Sequence, residues 1–207
     1  MTSKDFRQSP LFLRNSFKGF GKWEIPIIKA QDIDLSNIAL ISINDTRMNE
    51  NSVNRMRAVH FFVDDYRFEN TYKTPDTVID KLRQYRMVFT PDFSTYTEMQ
   101  QWRQIEGVAH SRWVGAYWQS KGITVIPTVT WSTGVSFSFC FDGIEKGSAV
   151  AIGMIGCKSS RLRFMRGYNE MLKRIQPRAV ICFGNPFKEM KGNIISVDYI
   201  DSRRRVG

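Results

Sequence analysis

The sequence predicts an α/β fold with a mostly parallel sheet, on the evidence of three observations. Short β-rich runs alternate with helical patterns along the chain, most of these runs are continuously apolar, and helix-boundary residues fall between the two kinds of segment. Continuous apolar runs are typical of strands that are covered on both faces, as in parallel sheets. Repeated βα units form either a small or incomplete (β/α) barrel or an open doubly wound sheet, and we favour the incomplete barrel.

The predicted elements follow in chain order. Strands are predicted at residues 38–44, 58–63, 87–90, 123–130, 149–155, 179–184 and 194–198. Helices are predicted at residues 74–85, 95–121 (as two helices), 135–142 and 161–176. Thr74 and Pro75 are typical of a helix start, Gly122 of a helix end, and Pro177 stops the last helix.

Composition limits the class of protein. The 207 residues fit a single α/β domain at residues 31–200, with a basic N-terminal extension at 1–30 that packs on the domain and a basic tail at 201–207. The 13% of aromatic residues exclude a disordered chain, and the longest apolar run is shorter than the ~18 residues of a membrane span. The N-terminus lacks the apolar segment of a signal peptide, so we expect a cytoplasmic protein with no membrane partner.

The net charge of +10 is concentrated at the two ends of the chain. Residues 1–30 hold six basic and two acidic residues, and residues 158–207 hold twelve basic and four acidic residues, including Arg203, Arg204 and Arg205. Such segregation favours a polyanionic partner, most often nucleic acid. The alternative is a solvated basic surface, since no helix-turn-helix, zinc-finger or RNA-recognition motif is present.

Aspartates follow two of the predicted strands, where ligands bind in parallel α/β folds. Asp64 and Asp65 follow the strand at 58–63, and Asp92 follows the next. These three are candidate catalytic carboxylates, and Asp64 and Asp92 are candidate ligands of Mg²⁺ or Mn²⁺. Because side chains alternate along a strand, counting from Phe62 predicts that Asp64, rather than Asp65, faces Asp92. The alternative is that each aspartate caps the turn after its strand.

A glycine-containing loop between the strand at 149–155 and the basic helix is a candidate anion site. Its backbone N–H groups and the helix dipole would face an anion, and the loop adds two cations and two hydroxyls. The candidate residues are Gly156, Lys158, Ser159, Ser160 and Arg161. The loop matches neither GxxxxGK[ST] nor GxGxxG, so the alternative is an ordinary turn with a serine N-cap.

Other residues are weaker candidates. Trp131 and Asn185 follow predicted strands and would lie at the same rim. Cys157 precedes a helix beside a lysine, where the pKa of a thiol tends to fall. His60 and His110 are predicted to be core or surface histidines, and the three cysteines lack the CxxC spacing of a zinc site.

Several segments together resemble a family of bacterial proteins of unknown function that also occurs in phages and integrative elements. The resemblance covers about residues 20–200 and is carried by DLSNIALISINDTR, HFFVDDYRFE, TPDFSTY, SRWVGAYWQSKGITVI, FCFDGIEKG and GYNEMLKRIQPRAVICFGNPFKEMKGNI. It implies an origin in mobile DNA and brings no activity or catalytic residue with it.

Three functions therefore stay open. The first is a mobile-element or phage protein that acts on or with nucleic acid, for example as a metal-dependent phosphodiesterase. The second is an enzyme that uses the same carboxylates on a small phosphorylated or sugar-like ligand. The third is a non-enzymatic protein that binds a host factor. Whether the chain is an enzyme, and its oligomeric state, are left open by the sequence.

Overall fold

The fold is described from a computed structural model, which covers residues 2–7, 17–202 and 205. Arg203 and Arg204 lie outside the described residues. The strands are β1 (Gly19–Phe20), β2 (Ile25–Pro26), β3 (Leu40–Ser42), β4 (Ala58–His60), β5 (Met87–Phe89), β6 (Val125–Ile126), β7 (Ala149–Gly153), β8 (Ala179–Phe183) and β9 (Ile194–Val197). The α-helices are α1 (Ser3–Arg7), α2 (Ser52–Arg55), α3 (Asn70–Lys73), α4 (Ile79–Leu82), α5 (Gln101–Ser120), α6 (Arg161–Ile175) and α7 (Tyr199–Ser202).

The seven predicted strands are confirmed as β3 to β9, and they lie side by side in chain order. Strands β3, β4, β5 and β6 pair in parallel, in that order, in one sheet. Strands β7, β8 and β9 pair in parallel, in that order, in another. A parallel bridge between Thr128 and Ala151 connects the two sheets. Among the described residues, no strand pairing joins β9 back to β3. The predicted α/β fold of mostly parallel strands is therefore confirmed, and the described strands form an incomplete or open arrangement rather than a closed barrel.

The strands enclose an inner apolar core, and two outer apolar cores lie against the outside of the strands. The inner core takes side chains from all seven strands: Leu40, Ala58, Met87, Phe89, Ile126, Ala151, Ile181, Phe183 and Val197. Successive residues alternate as strand geometry requires, so Ala58 faces this core while Val59 faces α5 outside. The second outer core packs α6 against β7 and β8 through Phe164, Tyr168 and Met171. Burial on both faces explains why the strands are continuously apolar.

The open edges of the sheet, at β3 and β9, are tied together by side chains. Glu50 follows β3, and its buried carboxylate accepts hydrogen bonds from Arg205 (2.7 and 3.0 Å), Tyr85 Oη (2.6 Å) and Asn54 Nδ2 (3.2 Å). Arg205 follows α7 and also donates to the carbonyl of Asp45. We call this group (Glu50, Asn54, Tyr85 and Arg205) the seam, because it joins two edges that no strand pairing joins.

Several local predictions are wrong in detail. The region predicted as two helices at 95–121 contains a single helix, α5 (Gln101–Ser120), which begins at Gln101 rather than at Thr95. Thr74 does not cap a helix, because its hydroxyl donates backward to the carbonyl of Asn70. The helix predicted at 135–142 is a 3₁₀ helix at Gly134–Ser138. Of the helices described, none has the length and apolar character needed to cross a membrane.

The N-terminal segment contacts the rest of the chain through buried residues. Ile25 and Ile28 are fully buried in two different cores, and the Ile28 amide donates to the Gly143 carbonyl at 2.9 Å. Strand β2 packs on α5. The described part of residues 1–30 is therefore built into the core from residue 25 onward.

Candidate functional site

The loops after β4, β5, β6 and β7 lie beside one another, because these strands are parallel and adjacent. Asp65 after β4 accepts hydrogen bonds from Ser94 after β5. The hydroxyls of Thr95 and Thr130 meet at 3.0 Å and connect the loops after β5 and β6. We call this edge, with Asp65, Asp92, Cys157 and Lys158, the carboxyl rim. It is the place where ligands bind in parallel α/β folds.

Of the two adjacent aspartates, Asp65 is the one that reaches across the carboxyl rim. Its Oδ2 accepts from the Ser94 amide at 3.0 Å and its Oδ1 from the Ser94 hydroxyl at 2.8 Å. The side chain of Asp64 is 73% exposed, and its carboxylate lies 3.9 Å from the guanidinium of Arg67. The expectation that Asp64 turns toward Asp92 is therefore wrong. The candidate pair is Asp65 and Asp92.

The error comes from the end of β4. Regular pairing of β4 stops at His60, and the amide of Val63 then donates to the carbonyl of Phe61 at 2.8 Å. This tight turn breaks the two-residue alternation on which the count from Phe62 to Asp64 depends. A sequence count cannot register a turn of this kind.

Asp92 is the most perturbed carboxyl of the carboxyl rim. Its side chain is partly buried, and no described residue donates a hydrogen bond to it. Burial raises the pKa of Asp92 to about 7, the charge of Asp65 contributes in the same direction, and Arg112 opposes them. A carboxyl group with this pKa exchanges protons near neutral pH, as a general acid or base must.

Arg112 lies beneath the carboxyl rim and was not identified from the sequence. It is fully buried on α5 and donates to the carbonyls of Thr128 (2.8 Å), Cys140 (3.0 Å) and Asp142 (3.2 Å). Burial lowers the pKa of Arg112 to about 10. Because its acceptors are neutral carbonyls, its charge acts on the carboxylates around it, including that of Asp92. An arginine within the mostly apolar stretch 108–118, with no acidic residue three or four positions away, is the signal that sequence reasoning passed over.

The candidate anion loop is present, and its cations differ in how they are used. Gly156 has φ +73°, Lys158–Ser160 form a 3₁₀ helix, and α6 begins at Arg161. Arg161 pairs with Glu189, whereas Lys158 is exposed and has no ion-pair partner among the described residues. The expected serine N-cap is wrong, because the Ser160 side chain makes no capping hydrogen bond. Ser159 is exposed beside it.

Cys157 behaves in the opposite way to the expectation from its position. Burial raises the pKa of the Cys157 thiol to about 11, and the charge of Asp92 adds to this effect. The thiol is therefore protonated at neutral pH and unsuited to act as a nucleophile. Its electrostatic coupling to Asp92 does place the loop after β7 next to the loop after β5.

The remaining candidates serve packing or lie apart. The ring of Trp131 packs on Phe164 at 4.9 Å between centroids and covers Gly167 of α6, so it is a packing residue. Asn185 is exposed after β8 and has no side-chain hydrogen bond within the described residues. His60 is buried as predicted, and burial lowers its pKa to about 3. His110 stacks on Tyr72 at 3.4 Å between ring centroids.

The described residues do not gather three potential metal ligands at the carboxyl rim. Within residues 2–7, 17–202 and 205, no group of three or more His, Cys, Asp or Glu side chains is placed to hold a metal ion. Asp64 points away from Asp92, and both oxygens of Asp65 already accept hydrogen bonds from Ser94. Joint coordination of a metal ion by Asp64 and Asp92, the pair predicted from the sequence, has no support in the described geometry.

Comparison with known proteins gives a family and two phage relatives. Residues 17–200 match the model of a domain of unknown function, DUF4417. The chain is 41% identical over 177 residues to a protein described as "Gene 1 protein" of Mycobacterium phage L5, covering 84% of this chain and 76% of the phage protein. It is 39% identical over 177 residues to the "Gene 1 protein" of Mycobacterium phage D29, covering 84% and 65%. No solved structure matches the chain significantly.

Proposed function

We propose that this chain, a member of the family of the domain of unknown function DUF4417, is an enzyme. In this proposal, the carboxyl rim performs acid–base chemistry on a phosphate-bearing substrate. The observation that carries the proposal is the position of Asp92. It is a partly buried carboxyl at the ends of parallel strands, beside Asp65, with no hydrogen-bond donor in the described structure.

Asp92 is the proton-transfer group in this proposal, and Asp65 is its positioning neighbour. Burial is the largest cause of the raised pKa of Asp92. The charge of Asp65, whose carboxylate is held by two hydrogen bonds from Ser94, raises this pKa further. At neutral pH, Asp92 therefore carries a proton in part of the molecules. It can give that proton to a leaving oxygen, or take one from an attacking water.

The loop after β7 binds the phosphate in this proposal. Lys158 is exposed beside the carboxyl rim with no ion-pair partner in the described residues, and the segment from 156 to 166 contains four basic residues and no acidic one. Transfer of a phosphoryl group depends mostly on positioning and on cations that balance the charge of the phosphate oxygens. The acidic loops after β4 and β5 and the basic loop after β7 thus supply complementary parts of one site.

Nucleic acid and small phosphate esters both offer this chemistry, and the phage relatives favour the former. Both relatives come from phages, and the chain carries a net charge of +10, which attracts a polyanion such as nucleic acid. The competing function, binding of a host factor without catalysis, predicts no turnover of any phosphate ester.

The test compares Asp92→Asn with a matched control, Asp64→Asn. The control makes the same substitution at an exposed aspartate that follows the neighbouring strand, β4. Both variants and the wild-type chain are assayed on single- and double-stranded DNA, RNA and nucleotides, with EDTA, Mg²⁺ or Mn²⁺. We expect turnover that Asp92→Asn reduces by at least 10²-fold and that Asp64→Asn leaves unchanged. Equal activity in the three proteins, or no turnover on any substrate, contradicts the proposal, and the EDTA arm shows whether a divalent cation takes part.

A further inference from the structure

Exposed aromatic and apolar side chains surround the carboxyl rim. They lie in the segments that follow β4, β5, β6 and β7: Tyr66 (71% exposed), Tyr96 (59%), Trp102 (66%), Val135 (59%), Ile155 (60%) and Leu162 (82%). The opposite ends of the same strands differ. In residues 53–57, 83–86, 121–124 and 145–148, the apolar side chains of Val53 and Met56 are exposed, but the one aromatic residue, Tyr85, is buried. Exposed aromatic rings at one end of a sheet, next to a candidate site, are typical of a binding surface.

The two exposed tyrosines stand on a fixed backbone. Tyr66 follows Asp65, whose carboxylate is bound to Ser94, and Phe68, two residues after Tyr66, packs on Phe93 at 5.2 Å between ring centroids. The carbonyl of Tyr96 accepts from the buried amide group of Gln104 at 3.2 Å. Anchored backbone with a solvent-facing ring is a low-entropy arrangement for contact with a flat ligand.

The charges around these rings are divided between two sides of the carboxyl rim. Lys158, Arg161, Arg163 and Arg166 follow β7, whereas Asp64, Asp65 and Asp92 follow β4 and β5 together with both tyrosines. The guanidinium of Arg67 also lies over the ring of Tyr66 at 5.1 Å from its centroid. A ligand that fits both sides has an anionic backbone for the basic loop and planar groups for the tyrosines.

We propose that the carboxyl rim binds single-stranded nucleic acid, with bases stacked on Tyr66 and Tyr96 and the backbone phosphates on the loop at Lys158. This inference deepens the proposed function and rests on it, because the proposed function makes the carboxyl rim the place where the reaction occurs. Single strands are favoured over duplex because duplex bases are already stacked on each other and leave no free face for a tyrosine ring. Stacking on side chains is tolerant of sequence, and the same surface serves DNA and RNA.

The test is the binding of fluorescein-labelled dT12 and rU12 to the full chain, followed by fluorescence anisotropy at fixed salt. We expect Tyr66→Ala and Tyr96→Ala each to weaken binding by about tenfold, since stacking on one aromatic ring is worth ~1–3 kcal/mol per base. Tyr66→Phe and Tyr96→Phe keep the ring and bind as the wild type does. Phe20→Ala, which removes a ring that is 58% exposed on β1, is the matched control and leaves binding unchanged.

Specific outcomes overturn the inference. Failure of dT12 and rU12 to bind saturably, alanine variants that bind as tightly as the wild type, or a duplex that binds more tightly and depends equally on the tyrosines would each do so. Asp92→Asn separates this inference from the proposed function, because it should remove turnover while oligonucleotide binding persists. Turnover of mononucleotides without oligonucleotide binding supports the proposed function and rejects the single-strand site. Tyrosine-dependent oligonucleotide binding, with no effect of Asp92→Asn on any reaction, supports the single-strand site and rejects the proposed function.

Discussion

Two carboxylates of this chain, Glu50 at the seam and Asp92 at the carboxyl rim, are withdrawn from solvent in opposite ways. Glu50 is fully satisfied: Arg205, Tyr85 and Asn54 all donate to it. Asp92 receives no hydrogen bond from any described residue and has another carboxylate, Asp65, as its neighbour. Burial of a charge without partners costs stability, so a protein that retains such a group has another use for it.

For this reason, the pKa values of Glu50 and Asp92 are shifted in opposite directions. Burial acts to raise the pKa of Glu50, but the hydrogen bonds from Arg205, Tyr85 and Asn54 outweigh it, and the pKa falls to about 2. At Asp92, burial and the charge of Asp65 act together, and the pKa rises to about 7. The seam therefore strengthens the fold at neutral pH and the carboxyl rim weakens it. The difference separates a structural carboxylate from a candidate catalytic one.

The largest effect is expected from removing the seam carboxylate. In Glu50→Ala, the hydroxyl of Tyr85 and the guanidinium of Arg205 lose their acceptor in a buried place. We expect the free energy of unfolding to fall by about 3 kcal/mol, measured by urea denaturation at pH 7. Glu69→Ala, which removes an exposed partner of Lys73, is the control and should cost less than about 1 kcal/mol. Equal effects in the two variants would mean that the seam does not hold the open edges of the sheet.

The pH dependence of the seam gives the next prediction. Because the pKa of Glu50 is lowered in the folded chain, its contribution to stability is present above pH 4.5 and is lost as the pH falls toward 2. Arg205→Ala removes the strongest donor, so the pKa of Glu50 in the folded chain shifts back toward 4.5, and less stability is lost between pH 4.5 and pH 2 than in the wild type. Urea denaturation between pH 2 and pH 7 measures this shift, and superimposable acid limbs would contradict the assigned role of Arg205.

Asp92 should show the reverse behaviour and a smaller effect. A carboxyl whose pKa is raised in the folded chain contributes stability that is present below pH ~4 and is lost as the pH rises through about 7. Asp92→Asn should therefore stabilise the fold at pH 8 by about 1–3 kcal/mol, and should flatten the decline between pH 5 and pH 8. Asp64→Asn, at an exposed position, should change neither. A destabilised Asp92→Asn variant would instead mark Asp92 as a structural residue.

The smallest effect concerns Lys158, the exposed cation of the loop after β7. If Lys158 binds a phosphate of single-stranded nucleic acid, Lys158→Ala should reduce the slope of log affinity against log salt concentration by about 0.7. Arg161→Ala should change the slope less, because Arg161 is paired with Glu189. Lys146→Ala, at an exposed position near the amino ends of the strands, is the control. Identical slopes for Lys158→Ala and Lys146→Ala would assign the loop to an ordinary turn.

Sequence patterns predicted the strands well because burial on both faces leaves an unbroken apolar run. The same patterns failed where long-range contacts decide the structure. Glu50 and Arg205 are 155 positions apart, and no local spacing connects them. Residues 95–100 precede α5 rather than joining it, because Gln104 holds the carbonyls of Tyr96 and Met99.

At the candidate site, the aspartates follow the strand ends as predicted, but Asp65 rather than Asp64 is the carboxylate whose charge acts on Asp92. The turn at Phe61–Val63 reverses the expected facing of Asp64 and Asp65. Among the aromatic residues of α5, Trp113, Tyr117 and Trp118 are buried, whereas Trp102 is exposed. Periodicity identifies a face, but the partner that covers it comes from the tertiary fold.

The most direct test of the central claim is the pKa of Asp92 itself, followed by the ¹³Cγ chemical shift of its carboxyl group between pH 3 and pH 9. The account predicts a midpoint near 7, assigned by the loss of the signal in Asp92→Asn. It also predicts a lower midpoint in Asp65→Asn, because the neighbouring charge is then removed. A midpoint near the ordinary value of about 4 for aspartate, unchanged by Asp65→Asn, would contradict it.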